Sequence, residues 1–294
     1  MSKQRTPQPE PYWPEVNFSE DGVCRYLHLG TEWVQGAMRL KDPVKLELEY
    51  VQRAMAWSVL GLTLGGSSLL YLLIQRGAAA SVTSLMYLVP HTTAVMAWLL
   101  FVDPDSVAER HAMQLGLGAG SLTRFSYRKL EMLTSCIEFN PQVYAACRQW
   151  FRLPDNNEKL NVILGDAAEE IRQPEWQGAI DALQVDLYDE EAAAPVLDHA
   201  DFYRDCKALL TPDGCMTVNL FGRDSSFDAS LTRICEAFGE TEVWTFKPTR
   251  EGNTVVLAQA TATHPERAVL EQRALEIKER WGLPAHKWPK VLRP

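Results

Sequence analysis

The sequence is poor in positive charge and contains no paired cysteine motif. Its 29 lysines and arginines are outnumbered by 38 aspartates and glutamates, which gives a net charge of −9. This balance argues against nucleic-acid binding, because proteins that bind nucleic acids usually carry basic surfaces. None of the six cysteines forms a C-x-x-C pair. We therefore expect no disulfide framework and no zinc or other metal site, but reduced thiols in the core of a cytoplasmic protein.

Charge is nearly absent from residues 54–102, where Arg76 is the single charged side chain. The two uncharged runs beside it are 22 and 26 residues long. Each is sufficient to cross roughly 30 Å of hydrocarbon as a helix. A pair of buried helices in a soluble domain is the alternative. We favour an apolar helical insert at 58–98, and a membrane contact or anchor through residues 54–102.

The insert has two further sequence features. Ala54-Met55-Ala56-Trp57 nearly repeats as Val95-Met96-Ala97-Trp98, so that removal of Ser58–Trp98 leaves an ordinary amphipathic helix. The removed piece, with Gly77-Ala78-Ala79-Ala80 and Tyr87-Leu88-Val89-Pro90, resembles part of the last helices of a drug/metabolite transporter. Two helices are too few to form a transport path, and we do not expect transport by this chain.

Three alternating glycines form the most informative motif. Gly116, Gly118 and Gly120 allow the backbone to turn tightly and to approach a ligand that a Cβ atom would block. Glu138 follows Gly120 by 18 residues, which suits a carboxylate that binds ribose hydroxyls at the end of the next strand. A glycine-rich turn in an unrelated α/β protein is the alternative, but it leaves the acidic residues at later strand ends to chance.

Short apolar strands alternate with helices from residue 111 to residue 260. This alternation predicts an α/β fold with a doubly wound, mostly parallel, Rossmann-like sheet, in which Ala179–Asp186 holds the fourth strand and Cys215–Leu220 the fifth. The predicted division of the chain is a disordered lead-in at 1–21, an N-terminal β segment and helix at 22–57, the insert at 58–98, a nucleoside-binding α/β domain at 99–262, and a C-terminal helix and surface tail at 263–294.

Carboxylates follow the third and fourth strands of the predicted sheet, as Asp166 in Gly165-Asp166-Ala167 and as the pair Asp186 and Asp189. Ligands of such sheets lie beyond the carboxyl ends of the strands, and two carboxylates there suit an ammonium group. For Asp189, together with Glu190 and Glu191, capping of a helix that begins at Ala192 is the alternative. We prefer the functional interpretation for Asp186, because it has no helix of its own to cap.

The order of these elements resembles spermidine synthase and its relatives, the polyamine aminopropyltransferases, over roughly 23–57 and 99–260. Glu138-Phe139-Asn140-Pro141 matches the family's E-x-D/N-P motif, and the segment from Asp186 to Asp189 matches its D-x-x-D motif. The resemblance implies a methyltransferase-type fold. It also implies a set of residues that bind the nucleoside part of the donor: Gly116, Gly118, Gly120, Glu138, Asp166 and Ala167.

The resemblance implies transfer of an aminopropyl group from decarboxylated S-adenosylmethionine to a small diamine such as putrescine. The donor is then a co-substrate, and no cofactor is bound permanently. Asp186 would be the catalytic base and Asp189 would hold the distal ammonium group, while Gln35 and Tyr50 would line the substrate site. A homodimer is a further hypothesis.

The chain departs from the family in its glycine loop. Ala119 stands where the family has an aspartate that meets the amino group of the donor. Moreover, Gly-x-Gly-x-Gly is equally the first motif of methyltransferases that use intact S-adenosylmethionine. A methyltransferase and a non-catalytic nucleoside-binding remnant therefore remain as alternatives.

Overall fold

The computed structural model describes residues 13–31, 34–46, 91–187, 197–221, 225–247 and 253–294. Within these ranges the chain forms a three-stranded antiparallel sheet and an eight-stranded mixed sheet. In chain order the strands are β1 Val16–Glu20, β2 Cys24–Leu29, β3 Gly36–Arg39, β4 His111–Leu115, β5 Leu133–Glu138, β6 Leu160–Leu164, β7 Ile180–Val185, β8 Leu210–Phe221, β9 Val243–Phe246, β10 Asn253–Gln259 and β11 Leu292–Arg293.

The large sheet has the order β11-β9-β10-β8-β7-β4-β5-β6. Strands β4 to β8 are parallel, whereas β9, β10 and β11 pair antiparallel at one side. The chain runs outward from β4 through β5 to β6 and then returns to place β7 on the other side of β4. Such a reversal creates a crevice at the carboxyl ends of the two central strands, where ligands of these folds bind. The predicted mostly parallel, Rossmann-like sheet is confirmed.

Helices connect the parallel strands, and capping residues mark where several of them begin. Asn140 accepts a hydrogen bond from the amide of Gln142, and the first position of that helix is Pro141, which has no amide hydrogen to satisfy. In chain order the α-helices are α1 Ser121–Arg128, α2 Pro141–Trp150, α3 Ala167–Glu170, α4 Ala200–Leu209, α5 Ser225–Phe238 and α6 Arg267–Trp281.

The end of the long apolar region belongs to the core of the large sheet. His91–Leu100 is a 3₁₀ helix, and each side chain from Ala94 to Leu100 is at most 1% exposed. Its carbonyl groups are also bound: Thr217 donates to the carbonyl of Val95 at 2.8 Å, and Arg273 of α6 donates to that of Leu100 at 2.9 Å. The last residues of the predicted insert, 94–98, therefore pack in the core of the described fold.

The remainder of the predicted insert, up to residue 90, lies outside the described residues. None of the helices in the described ranges has the length and apolar character needed to cross a lipid bilayer.

Both ends of the described chain are more ordered than the sequence predicts. Residues 16–20 of the expected disordered lead-in form β1, which pairs with β2 in register. The expected surface tail contains a 3₁₀ helix at Ala285–Lys290 and strand β11, which pairs with β9. Trp288 is fully buried against the same core as Trp98. At the C-terminal end the physical reason is the burial of apolar side chains such as Trp288, which removes them from water. The side chains of β1 are mostly exposed, and its backbone pairing with β2 is what orders it.

All six cysteines lie in the described ranges and are free thiols. Five are buried and Cys235 is half-buried. Burial raises the pKa of the Cys147 and Cys215 thiols to about 12, so these groups stay protonated and unreactive at neutral pH. The predicted placement of the cysteines in the core is confirmed for the five buried thiols.

Candidate active site

Backbone hydrogen bonds align four strand ends at the crevice between β4 and β7. The amide of Asp186 donates to the last carbonyl of β4 at 3.1 Å, and the amide of Gly116 donates to a carbonyl of β5 at 2.9 Å. The amide of Gly165 donates to the carbonyl of Glu138 at 2.9 Å. The four residues that the sequence separates by up to 70 positions therefore lie side by side along one edge of the sheet.

The glycine loop has the conformation that its sequence predicts. Gly116, Gly118 and Gly120 have φ values of 86°, 50° and 68°, all in the left-handed region that favours glycine. A Cβ atom on Gly116 would collide with the carbonyl oxygen of Asp186, and one on Gly118 would lie 2.9 Å from the carbonyl oxygen of Gln35. The loop is thus packed between the end of β7 and the small N-terminal sheet, and Gln35 lies beside it.

Ala119 packs against the N-terminal sheet. It is 2% exposed, and a Cβ atom placed on Gly36 of β3 would lie 2.7 Å from its own Cβ. Ser121 donates a short hydrogen bond to the carbonyl of Ala37, which fastens the same strand to the start of α1. The backbone of β3 therefore occupies the space in front of Ala119.

Glu138 is a buried acid whose two oxygens both accept hydrogen bonds from the main chain. Oε2 accepts from the amide of Leu117 in the glycine loop at 2.8 Å, and Oε1 accepts from the amide of Asn140 at 2.7 Å. Burial raises the pKa of Glu138, while these amides favour its ionised form and oppose that rise. The carboxylate ties the glycine loop to the start of α2, and each oxygen retains a second lone pair for a ligand.

Asp166 caps the short helix α3 through Oδ1, which accepts a hydrogen bond from the amide of Ala168 at 2.8 Å. The other carboxylate oxygen has no such bond to the helix. Ala167 is 6% exposed and packs in the core under the sheet. Asp166 thus caps a helix through one oxygen, and its predicted contact with the nucleoside stays a prediction.

Asp186 lies directly after β7 and accepts a hydrogen bond on Oδ1 from Nδ2 of Asn219 at 3.2 Å. Burial raises the pKa of Asp186, and the bond from Asn219 opposes the rise. A carboxyl group with a raised pKa at a crevice is a candidate proton acceptor, because general bases work best when their pKa approaches the working pH.

Apolar side chains border the acidic edge on the side of β6. Phe139 follows Glu138 and is 58% exposed, and Leu164 at the end of β6 is 50% exposed. Trp13 lies against Phe139 with ring centroids 4.9 Å apart and an interplanar angle of 65°. A carboxylate next to exposed aromatic and aliphatic groups suits a nucleoside as ligand, because the sugar of a nucleoside is polar and its base has an apolar face.

Two of the predicted substrate residues, Asp189 and Tyr50, lie outside the described residues. Two residues that lie beside the candidate site, Asn219 and Trp13, were not predicted from the sequence. The position of Asn219 can be found from the parallel register, which pairs Val185 with Val218 and so places the next residues of β7 and β8 together. Trp13 had no such signal, because it precedes β1 in a proline-rich segment.

The fold is a Rossmann-like α/β fold of the methyltransferase type. A structure of human methyltransferase-like protein 13 in complex with SAH matches with a TM-score of 0.56 at 22% identity, over 65% of this chain and 92% of that chain. A structure of a probable spermidine synthase from Corynebacterium glutamicum matches with a TM-score of 0.59 at 18% identity, over 92% of this chain and 88% of that chain. At these identities the structural matches establish the fold alone.

The sequence relatives are more specific. The polyamine aminopropyltransferase of Chromobacterium violaceum is 29% identical over 272 residues, which are 92% of this chain and 86% of the relative. That of Neisseria meningitidis serogroup B is 29% identical over 277 residues, covering 94% and 88%. No family model matches the chain. The relatives indicate that this chain is a transferase enzyme.

Proposed function

We propose that this chain transfers an aminopropyl group from decarboxylated S-adenosylmethionine to a small diamine such as putrescine. The observation that carries the proposal is the position of Asp186, which follows β7 at the crevice between β4 and β7 and whose main-chain carbonyl is packed directly against Gly116 of the glycine loop. Similarity to polyamine aminopropyltransferases over more than nine-tenths of the chain supports it.

The reaction is a displacement at carbon. The amine nitrogen forms a bond to the carbon attached to the sulfonium, and the carbon–sulfur bond breaks with its electrons passing to sulfur. Methylthioadenosine leaves. The one proton released comes from the ammonium group of the diamine, which must lose it before the nitrogen has a lone pair for attack, and the product is a protonated secondary amine. An aliphatic amine with a pKa near 10 is mostly protonated at neutral pH, so a base that takes its proton accelerates the reaction, typically by about 10²–10⁴-fold.

In this scheme Asp186 accepts the proton, and Glu138 holds the ribose with the lone pairs that the main chain leaves free. Gly116, Gly118 and Gly120 let the donor approach the backbone, and Asp166 with Ala167 lies at the base end of the nucleoside. Asp189 holds the distal ammonium group, with Gln35 and Tyr50 at the amine site. Holding the two substrates in line supplies much of the remaining acceleration.

Product analysis tests the reaction. Purified protein is incubated with putrescine and either decarboxylated or intact S-adenosylmethionine, and methylthioadenosine and S-adenosylhomocysteine are measured. The proposal requires methylthioadenosine that appears only with the decarboxylated donor and the diamine. Donor binding without either product would instead support a nucleoside-binding protein without catalysis.

Methyl transfer from intact S-adenosylmethionine is the second candidate. The buried Ala119 favours it, because this position contributes no carboxylate for the amino group of the decarboxylated donor. Formation of S-adenosylhomocysteine with a methyl acceptor would establish this alternative.

The substitution Asp186→Asn tests the assigned base. It keeps the size of the side chain and an oxygen that accepts from Asn219, but it removes the basic carboxylate. We expect turnover to fall by about 10²–10⁴-fold, with methylthioadenosine affinity within about twofold of the unchanged protein. Asp181→Asn, at the opposite edge of the sheet, is the control for loss of a carboxylate. Unchanged turnover in Asp186→Asn would exclude this residue as the base.

A membrane contact through the apolar region stays a prediction for residues 54–90, because residues 94–100 are buried in the core. The cytoplasmic location is a proposal supported by the free, buried cysteines, which persist in reducing compartments. The homodimer likewise stays a prediction.

A further inference from the structure

Asp186 is held from two sides at the end of β7. Its main chain is fixed by the hydrogen bond to β4 and by close packing against Gly116. Its side chain is held by Asn219, a residue of the neighbouring parallel strand β8. The register of the two strands places Val185 beside Val218, so the bond between Asp186 and Asn219 continues the pairing beyond the end of β7.

The hydrogen bond determines which oxygen of the carboxylate is available. An ionised carboxylate has no proton to donate, so the amide must present its Nδ2 group, as the structure shows. Oδ1 is the oxygen that accepts this bond. A side chain fixed through one oxygen presents the other oxygen in a defined direction, and such support is what keeps a catalytic group in its productive geometry.

The charged surroundings of Asp186 are sparse among the described residues. The acid at the end of β5, two strands away from β7, is Glu138, whose oxygens are bound by the amides of Leu117 and Asn140. The glycine loop contributes no ionisable side chain, and β8 contributes the neutral amide of Asn219. In the described ranges, burial and the amide of Asn219 are the influences on the pKa of this carboxyl group.

We propose that Asn219 is a positioning residue for the catalytic base: its amide holds Oδ1 of Asp186, so that Oδ2 faces the acceptor amine. This inference rests on the proposed function. Asn219 acts through Asp186 and has no direct role in bond formation. Its removal should therefore affect the proton-transfer step and the ionisation of Asp186, while nucleoside binding is retained.

The substitution Asn219→Leu removes the amide at similar volume. We expect kcat to fall about tenfold or more, as part of the base contribution is lost, with the KM of the donor within about twofold. The acidic limb of the pH profile should move to higher pH. The sign follows from the bond: Asn219 favours the ionised carboxylate, so its loss raises the pKa of Asp186. Asn219→Asp should move the limb further, because a second negative charge opposes ionisation.

Thr217→Val is the matched control. Thr217 lies on the same strand, is fully buried and donates to the carbonyl of Val95. Its substitution should lower stability without moving the pH profile. An Asn219→Leu protein whose kcat and acidic limb equal those of Thr217→Val would overturn the proposal, as would loss of methylthioadenosine binding in proportion to kcat.

Direct titration of the Asp186 carboxyl carbon by NMR separates this inference from the proposed reaction. The resonance is assigned by its absence in Asp186→Asn. A higher pKa in Asn219→Leu than in the unchanged protein supports the coupling even if no methylthioadenosine is released, whereas an unchanged pKa contradicts it. Absence of methylthioadenosine release by the unchanged protein is an outcome that counts against the proposed function alone.

Discussion

At the scale of single residues, the acids of the site do two kinds of work. The carboxylates of Glu138 and Asp166 accept hydrogen bonds from main-chain amides, Glu138 from the glycine loop and Asp166 from the start of α3. These bonds stabilise the local structure around the site. Within the part of the chain that the structure describes, the carboxylate of Asp186 has no such amide partner and is held by the side-chain amide of Asn219. The residue that supports the local structure least is thus the one that is best placed to exchange a proton.

Ala119 provides a test of the donor site. Because its Cβ packs against Gly36 of β3, an aspartate at this position would overfill the contact and bury a charge. We expect Ala119→Asp to lower the free energy of unfolding by about 1–3 kcal/mol, a typical cost of overpacking, without increasing the preference for the decarboxylated donor. Ala119→Ser is the smaller control.

Denaturant unfolding and kcat/KM for the two donors are the measurements. A stable Ala119→Asp protein with a stronger preference for the decarboxylated donor would mean that side chains at this position reach the donor.

At the scale of elements, the 3₁₀ helix His91–Leu100 differs most from the sequence prediction: the sequence favoured a membrane contact for this region, and the structure packs it in the core. An uncharged run has the same composition in lipid and in a protein core. Three polar groups from β7, β8 and α6 contact this helix: Gln184 at Met96, Thr217 at Val95 and Arg273 at Leu100. Two of these contacts satisfy main-chain carbonyls of the buried segment, as a protein core requires.

A substitution of Trp98 tests how much this 3₁₀ helix contributes to the stability of the protein. It is fully buried in one cluster with Trp244 and Trp288. We expect Trp98→Ala to lower the free energy of unfolding by about 3–5 kcal/mol. Trp150→Ala is the matched control, because Trp150 is 40% exposed and its loss should cost roughly 1 kcal/mol or less. Equal effects of the two substitutions in urea unfolding would contradict the buried placement of this helix.

At the scale of the whole molecule, the two edges of the large sheet have different roles. The carboxyl edge holds the candidate site. At the amino edge, Asp181 accepts hydrogen bonds from the amide of His111 and from Thr211. The His111 ring lies 2.9 Å from the hydroxyl of Ser135 and edge-on to Trp176. Burial lowers the pKa of His111, and the nearby Asp181 opposes this effect.

The lowered pKa of His111 makes the stability of the protein depend on pH. The unfolded chain binds a proton near pH 6.5 and the folded protein binds it only at lower pH, so stability decreases as pH falls below about 6.5. One proton contributes a slope of at most about 1.4 kcal/mol per pH unit. Urea unfolding between pH 5 and 8 should show a smaller slope in His111→Gln. Identical slopes in the two proteins would refute this.

Much of the site could be predicted because its residues lie at strand ends. Strands and their boundaries follow from local apolar patterns and glycines, so Gly116, Glu138, Asp166 and Asp186 could be assigned to one edge before their contacts were known. Asn219 was placed within the fifth strand but not recognised as a partner of Asp186. That pairing depends on the parallel register of β7 and β8, a contact between residues 33 positions apart.

The sequence by itself determined the alternation of strands and helices, the glycine turn and the order of the acids, because each depends on a few neighbouring residues. Only the tertiary structure decided what each apolar or small side chain packs against. It placed Ala94–Leu100 in the core, directed Ala119 against Gly36 and paired the C-terminal strand with β9. These outcomes depend on surfaces that meet only after the chain has folded, and hydrophobicity alone does not specify the partner.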